Sequence, residues 1–111
     1  DIAVRRQTVV AVTGEVDYVT DGSRAVRIAG GSPLMPRVTA TGCALSAVVG
    51  AFAAVSKDDP YVAAVAALSC FGIAGERAAI HADGPGSFAW RFLDALAALD
   101  AHCLVRESPL R

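Results

Sequence analysis

The stretch Thr39-Ala40-Thr41-Gly42-Cys43-Ala44-Leu45-Ser46-Ala47-Val48-Val49 runs from a turn of small residues straight into an apolar helix. Ala40, Thr41 and Gly42 are small enough for backbone to approach a ligand closely. The first N–H groups of a helix have no intrahelical acceptor and carry the positive end of its dipole, so the turn suits an anion such as a phosphate. No Walker lysine follows, and spacing alone leaves open an ordinary helix entry capped by Thr39 or Thr41. Cys43 falls in the first turn, near the helix's positive end. It is a candidate for chemistry, although a free cysteine in an apolar segment also serves as core.

Outward from this turn, the 111 residues are enough for one small domain. They are short for a complete two-substrate enzyme. Hydrophobic residues make up 54% and charged residues 19%, an apolar excess that must pack against further sequence or a partner, or meet a membrane. With a net charge of −1 and no block of like charge, neither nucleic acid nor an anionic membrane surface is indicated. Cys43, Cys70 and Cys103 are odd in number and form no CxxC pair, which points to reduced thiols in a cytoplasmic protein. The start at Asp1, without an initiator methionine or a signal peptide, reads as the middle of a longer protein.

Before the turn, the β-branched run at residues 7–13 predicts a buried strand of a parallel sheet. Thr13 and Gly14 then lie at its C-terminal end, where open α/β sheets bind ligands. Thr13 is placed to offer its hydroxyl to a phosphate, or to satisfy local backbone. Residues 16–20 and 24–28 alternate as a β-hairpin turned through Asp21-Gly22. Gly30, Gly31, Pro33 and Pro36 mark an irregular loop with Leu34 and Met35 as buried anchors.

After the turn, helices are predicted over residues 44–55, 61–81 and 88–100, the second opened by Asp59-Pro60 and the third capped by Ser87. Gly72 and Gly75 inside the second helix imply close packing. The uncharged runs of the first two helices are too short for a membrane hairpin. Phe88, Phe92, Leu96 and Leu99 make one apolar face, opposite Arg91 and Asp94, with Trp90 at the boundary. A short closing strand is expected over residues 103–106, followed by a frayed tail. His81 and His102 have no partner at ligand spacing.

Four blocks, taken together in order, are more specific than any one alone. Val12-Thr13-Gly14-Glu15-Val16-Asp17-Tyr18-Val19-Thr20-Asp21-Gly22, Gly30-Gly31-Ser32-Pro33-Leu34-Met35, Thr41-Gly42-Cys43-Ala44-Leu45-Ser46-Ala47-Val48-Val49 and Gly84-Pro85-Gly86-Ser87-Phe88 closely resemble the C-terminal part of hydroxyethylthiazole kinase. The resemblance implies a ribokinase-like α/β fold, in which residues 1–111 are the C-terminal segment of one kinase domain: helices on a central, mostly parallel sheet, plus a β-hairpin. It implies an enzyme, a homotrimer in the cytoplasm, that uses ATP and Mg²⁺ to phosphorylate 4-methyl-5-(2-hydroxyethyl)thiazole for thiamine biosynthesis.

By the same resemblance, Thr13 contacts ATP and the Ala40 backbone touches the thiazole. Ala40, Thr41, Gly42 and Cys43 form an anion hole. Cys43 stands where related kinases carry an aspartate base, no metal ligand lies in this segment, and the segment alone is expected to be inactive. Many relatives carry glycine where this chain has Ala40, so ordinary backbone geometry is expected there. The alternative is a non-catalytic anion-binding or oligomerisation module that retains the scaffold.

Overall fold

The order of elements is a short helix, a three-stranded sheet and three helices. The computed structural model describes residues 2–39 and 41–100. Ala40, the expected strand at 103–106, His102 and Cys103 lie outside the described residues.

Helix α1 (Ile2–Arg6) was not expected from the sequence, and it displaces the start of the first strand. Gln7 adopts a left-handed conformation, φ 50°. Its N–H donates to Val4 O and the Thr8 N–H to Ala3 O, so the two close the helix as a Schellman pair. Strand β1 is therefore confined to Val10–Val12, and Val12 is 60% exposed. Among the described residues β1 is not buried on both faces, contrary to the expectation for residues 7–13.

Strand β1 pairs antiparallel with β2 (Val16–Thr20), and β2 with β3 (Ala25–Ala29), in the order β1-β2-β3. All pairings among the described residues are thus antiparallel, and the parallel part of the expected sheet is not among them. The hairpin forms as its alternation predicts. Val19 and Ile28 on one face are buried, while Tyr18 on the other is 52% exposed.

Arg24 clamps the hairpin tip to the helices. Its guanidinium pairs both nitrogens with Asp59, at 3.0 Å each, and its Nε donates to Asp21 at 2.8 Å. The same group lies 4.3 Å from the centre of the Tyr61 ring. Asp59 also caps α3 by accepting from Val62 N–H.

The backbone N–H groups of Arg24 and Ser23, with the Arg24 side chain, hold the Asp21 carboxyl down to about 2. The Arg24 side chain, aided by Val62 N–H, lowers Asp59. Carboxylates depressed in the folded state add stability above their ordinary range and lose it as pH falls. The melting temperature is therefore expected to drop between about pH 4 and about pH 2. An Asp21→Ala, Asp59→Ala double variant should melt lower at neutral pH and show a shallower drop; an unchanged pH profile would show that the clamp carries no stability.

Helix α3 (Pro60–His81) is the axis of the molecule. One side meets the sheet through Val19, Ile28, Ala64 and Leu68. The other meets α4 (Pro85–Ala97) through Phe71, Ala74, Ala78, Phe88 and Phe92. Phe92 sits edge-on to Phe71 at 4.7 Å and stacks on Phe88 at 5.8 Å. Leu96 and Leu99 flank this cluster half-buried, and Trp90 is 52% exposed, as the helical stripe predicts.

By length and composition α3, at 22 residues, is long and apolar enough to cross a membrane, contrary to the shorter runs read from the sequence. Yet 61% of its most apolar window is buried inside the protein. Gly72 and Gly75 have the packing role expected of them, but the neighbour is a loop. A Cβ on Gly75 would stand 2.6 Å from Met35 Sδ, and one on Gly72 would stand 3.7 Å from Gly31 N.

Helix α4 starts three residues before its expected position. Pro85 supplies a preset φ at the first turn, and Ser87 Oγ accepts from Asp83 N–H at 2.8 Å and from Gly84 N–H at 3.3 Å. Ser87 therefore works from inside the helix rather than as its cap. Helix α2 (Thr41–Val55) likewise begins earlier than predicted, and none of its residues is fully buried despite its apolar sequence. Leu45 and Val48 lean on the core, while Ala44, Ala47, Ala51 and Val55 are exposed.

Candidate functional site

The turn after β1, the Gly30-Gly31 loop and the start of α2 surround an open cavity of about 860 Å³. Thr13 to Asp17 form one wall, residues 30–33 with Met35 and Pro36 a second, and Thr41, Gly42 and Leu45 a third. Leu68, Phe71 and Gly72 of α3 make the apolar floor. Local sequence explains the shape. Gly31 takes φ +84°, which a side chain disfavours, and lets the loop lie flat on Gly72 and Gly75.

Thr13 follows the last residue of β1 and is exposed at the cavity, so the structure brings Thr13, Thr41 and Gly42 together around one space. Cys43 is exposed in the first turn of α2 but does not line this cavity. Cys70, by contrast, is buried in α3. Thr41 is the first residue of α2, and its hydroxyl is directed away from any capping role. It donates to Met35 O and Val38 O, each at 3.3 Å, tying α2 to the 3-10 turn at Met35–Arg37. What Thr41 and Gly42 offer a ligand is therefore main-chain N–H, free of intrahelical acceptors in the first turn. Together with the helix dipole this is an arrangement suited to an anion.

Two carboxylates on the wall, Glu15 and Asp17, were not singled out by sequence reasoning. Asp17 is half-buried and accepts from Gly14 N–H at 3.0 Å. Burial pushes its carboxyl above the ordinary value, and the Gly14 bond offsets part of that. An acid raised on folding favours the folded state when protonated, so its contribution falls as pH rises from about 4 through the folded value, opposite in sign to Asp21 and Asp59. Among the described residues no group of three or more His, Cys, Asp or Glu side chains could hold a metal ion.

The sequence pattern of the hydroxyethylthiazole kinase family matches residues 1–102. Hydroxyethylthiazole kinase from Rhizobium etli is 67% identical over 103 residues, covering 93% of this chain and 40% of that protein. The corresponding protein from Rhizobium johnstonii is 68% identical over 103 residues, with 93% and 39% covered. The structure of hydroxyethylthiazole kinase from Pyrococcus horikoshii superposes with a TM-score of 0.91 at 42% identity, over 98% of this chain and 42% of that one. The chain thus spans about two fifths of the length of these relatives, and its α/β fold is that of a portion of the kinase. With one family's sequence pattern along nearly the whole chain and the same backbone path, this chain belongs to the hydroxyethylthiazole kinase family.

Proposed function

We propose that this chain is the C-terminal segment of an ATP-dependent kinase that phosphorylates the hydroxyl of 4-methyl-5-(2-hydroxyethyl)thiazole in thiamine biosynthesis. The observation that carries the reading is the convergence of Thr13, Thr41 and Gly42 on one cavity at the start of α2. Phosphoryl transfer asks mainly for charge stabilisation and alignment. In this reading the N–H groups at the head of α2 hold the migrating phosphoryl group and Thr13 contacts ATP. The apolar floor of Leu68 and Phe71 excludes water from one side. Ala40, outside the described residues, supplies backbone to the anion hole and the thiazole.

Cys43 belongs beside the acceptor alcohol, where it orients the hydroxyl or takes its proton. It is exposed in the first turn of α2, next to Gly42, and in this reading its role is auxiliary. Mg²⁺ would neutralise charge on the ATP phosphates. A homotrimer in the cytoplasm completes the proposal, with the exposed apolar face of α2 available for cover.

The test is ATP-dependent phosphorylation of hydroxyethylthiazole by the complete polypeptide, compared with this segment alone. Activity is expected in the first and not the second. Nucleotide binding without turnover in the complete polypeptide would favour the non-catalytic module. Cys43→Ala should lower kcat by about tenfold, below the ~10²–10⁴-fold of a full general base because the thiol is an auxiliary here. Full turnover in that variant would remove Cys43 from the mechanism.

A further inference from the structure

Asp17 stands in an unusual place for an acid. It lies two residues before Val19 on β2, so both project to the same face of the sheet. That is the face covered by α3, where Val19 is 1% exposed against Ala64 and Leu68. A carboxylate on such a face is costly without a partner. One hydrogen bond is provided, from Gly14 N–H to Oδ1, and it spans the turn that joins β1 to β2. Thr13 is the residue next to the donor.

The β1–β2 ladder closes that turn from outside, with Val12 paired to Tyr18. Gly14 has no positive φ, and a Cβ there would meet Val16 O at an ordinary 3.7 Å. Neither backbone strain nor crowding fixes Gly14 within it, and the Asp17 bond is what ties Gly14 from inside the turn.

We infer that Asp17 is a positioning residue, whose Oδ1 holds Gly14 N–H and so aims Thr13 at an anion bound at the start of α2. The inference rests on the kinase reading for the identity of that anion, a nucleotide phosphate. Asp17 works here as an acceptor, and asparagine, which keeps Oδ1, can replace it.

The experiment uses the complete polypeptide as wild type, Asp17→Asn and Asp17→Ala. In Asp17→Ala the KM for ATP and the dissociation constant for ADP should rise about tenfold, the scale of one charge-assisted hydrogen bond, while KM for hydroxyethylthiazole stays within about twofold. Asp17→Asn should return ADP affinity to within about threefold of wild type. Amide exchange across residues 13–17 should accelerate in Asp17→Ala and recover in Asp17→Asn. Asp17→Ser, polar but too short to reach Gly14, repeats the test independently of how the alanine variant folds.

Equal loss in the asparagine and alanine variants would overturn the inference, because charge rather than the acceptor would then be what matters. Unchanged ADP affinity in both Asp17→Ala and Asp17→Ser would overturn it as well. A wild type that binds ADP and does not phosphorylate hydroxyethylthiazole sinks the kinase reading instead, while the ADP affinities of the variants still decide on Asp17.

Discussion

Gly42→Asp in the complete polypeptide is expected to fold as well as the parent and to lose turnover by roughly a hundredfold or more, the scale set by removing preorganised charge stabilisation. Folding should be spared because a Cβ at Gly42 meets nothing within 4 Å. Exchanging glycine for another residue in a helix recovers backbone entropy, and an acid in the first turn gains about 0.3–1 kcal/mol from the dipole. That same field is what the proposed phosphoryl site uses. A fixed carboxylate there satisfies the free N–H groups and repels the incoming phosphates.

Gly42→Asn separates charge from bulk and should lose markedly less. Thermal melting beside steady-state kinetics reads both halves of the expectation. Wild-type turnover in Gly42→Asp would move the phosphate away from the head of α2, and the assignment of Thr41 and Gly42 would go with it.

Phe88→Ala acts on the other side of the molecule and should cost about 3–5 kcal/mol. Phe88 is 0% exposed, stacked on Phe92 and enclosed by Phe71, Ala74 and Ala78. Removing its ring leaves a hole between α3 and α4 that these two helices, joined by a short turn, cannot close by sliding. A small domain holds only about 5–15 kcal/mol in total, so this single change takes much of the reserve. Urea unfolding should show the midpoint collapse in Phe88→Ala and move slightly in Leu93→Ala, a 63% exposed neighbour. Equal effects at the two positions would mean that α4 is not anchored by its aromatic stripe.

Local signals in the sequence were reliable where the chain solves its own problem nearby. The hairpin followed from alternation around Asp21-Gly22, and the start of α3 from Asp59-Pro60, because cap and turn chemistry act within a few residues. Residues 7–13 misled because a run of β-branched residues does not reveal that α1 will close through Gln7 and Thr8. Ser87 looked like a cap for the N–H groups after it, yet from three residues inside the helix it reaches back to the N–H groups of Asp83 and Gly84, and Pro85 settles which arrangement forms.

Thr13, Thr41 and Gly42 were readable as candidates, since turn composition places them at the ends of elements. Their meeting around one cavity depends on α3 and the Gly30-Gly31 loop, which no short motif encodes. Asp17 was missed although its signal was present, an acid two positions before Val19 on the inward face of β2. The Arg24 pairing with Asp59 spans 35 positions and leaves no local trace at all.

Strand β1 is hydrogen-bonded on one flank only among the described residues, and Val12 beside it is largely uncovered. Main-chain groups along such a margin act as a mould for another polypeptide, and no charged side chain within Val10–Val12 guards it. At three residues the margin is short, which limits how far a second chain could pair along it. The border of the sheet that leads into Thr13 is thus a place where a further strand would pair and cover Val12.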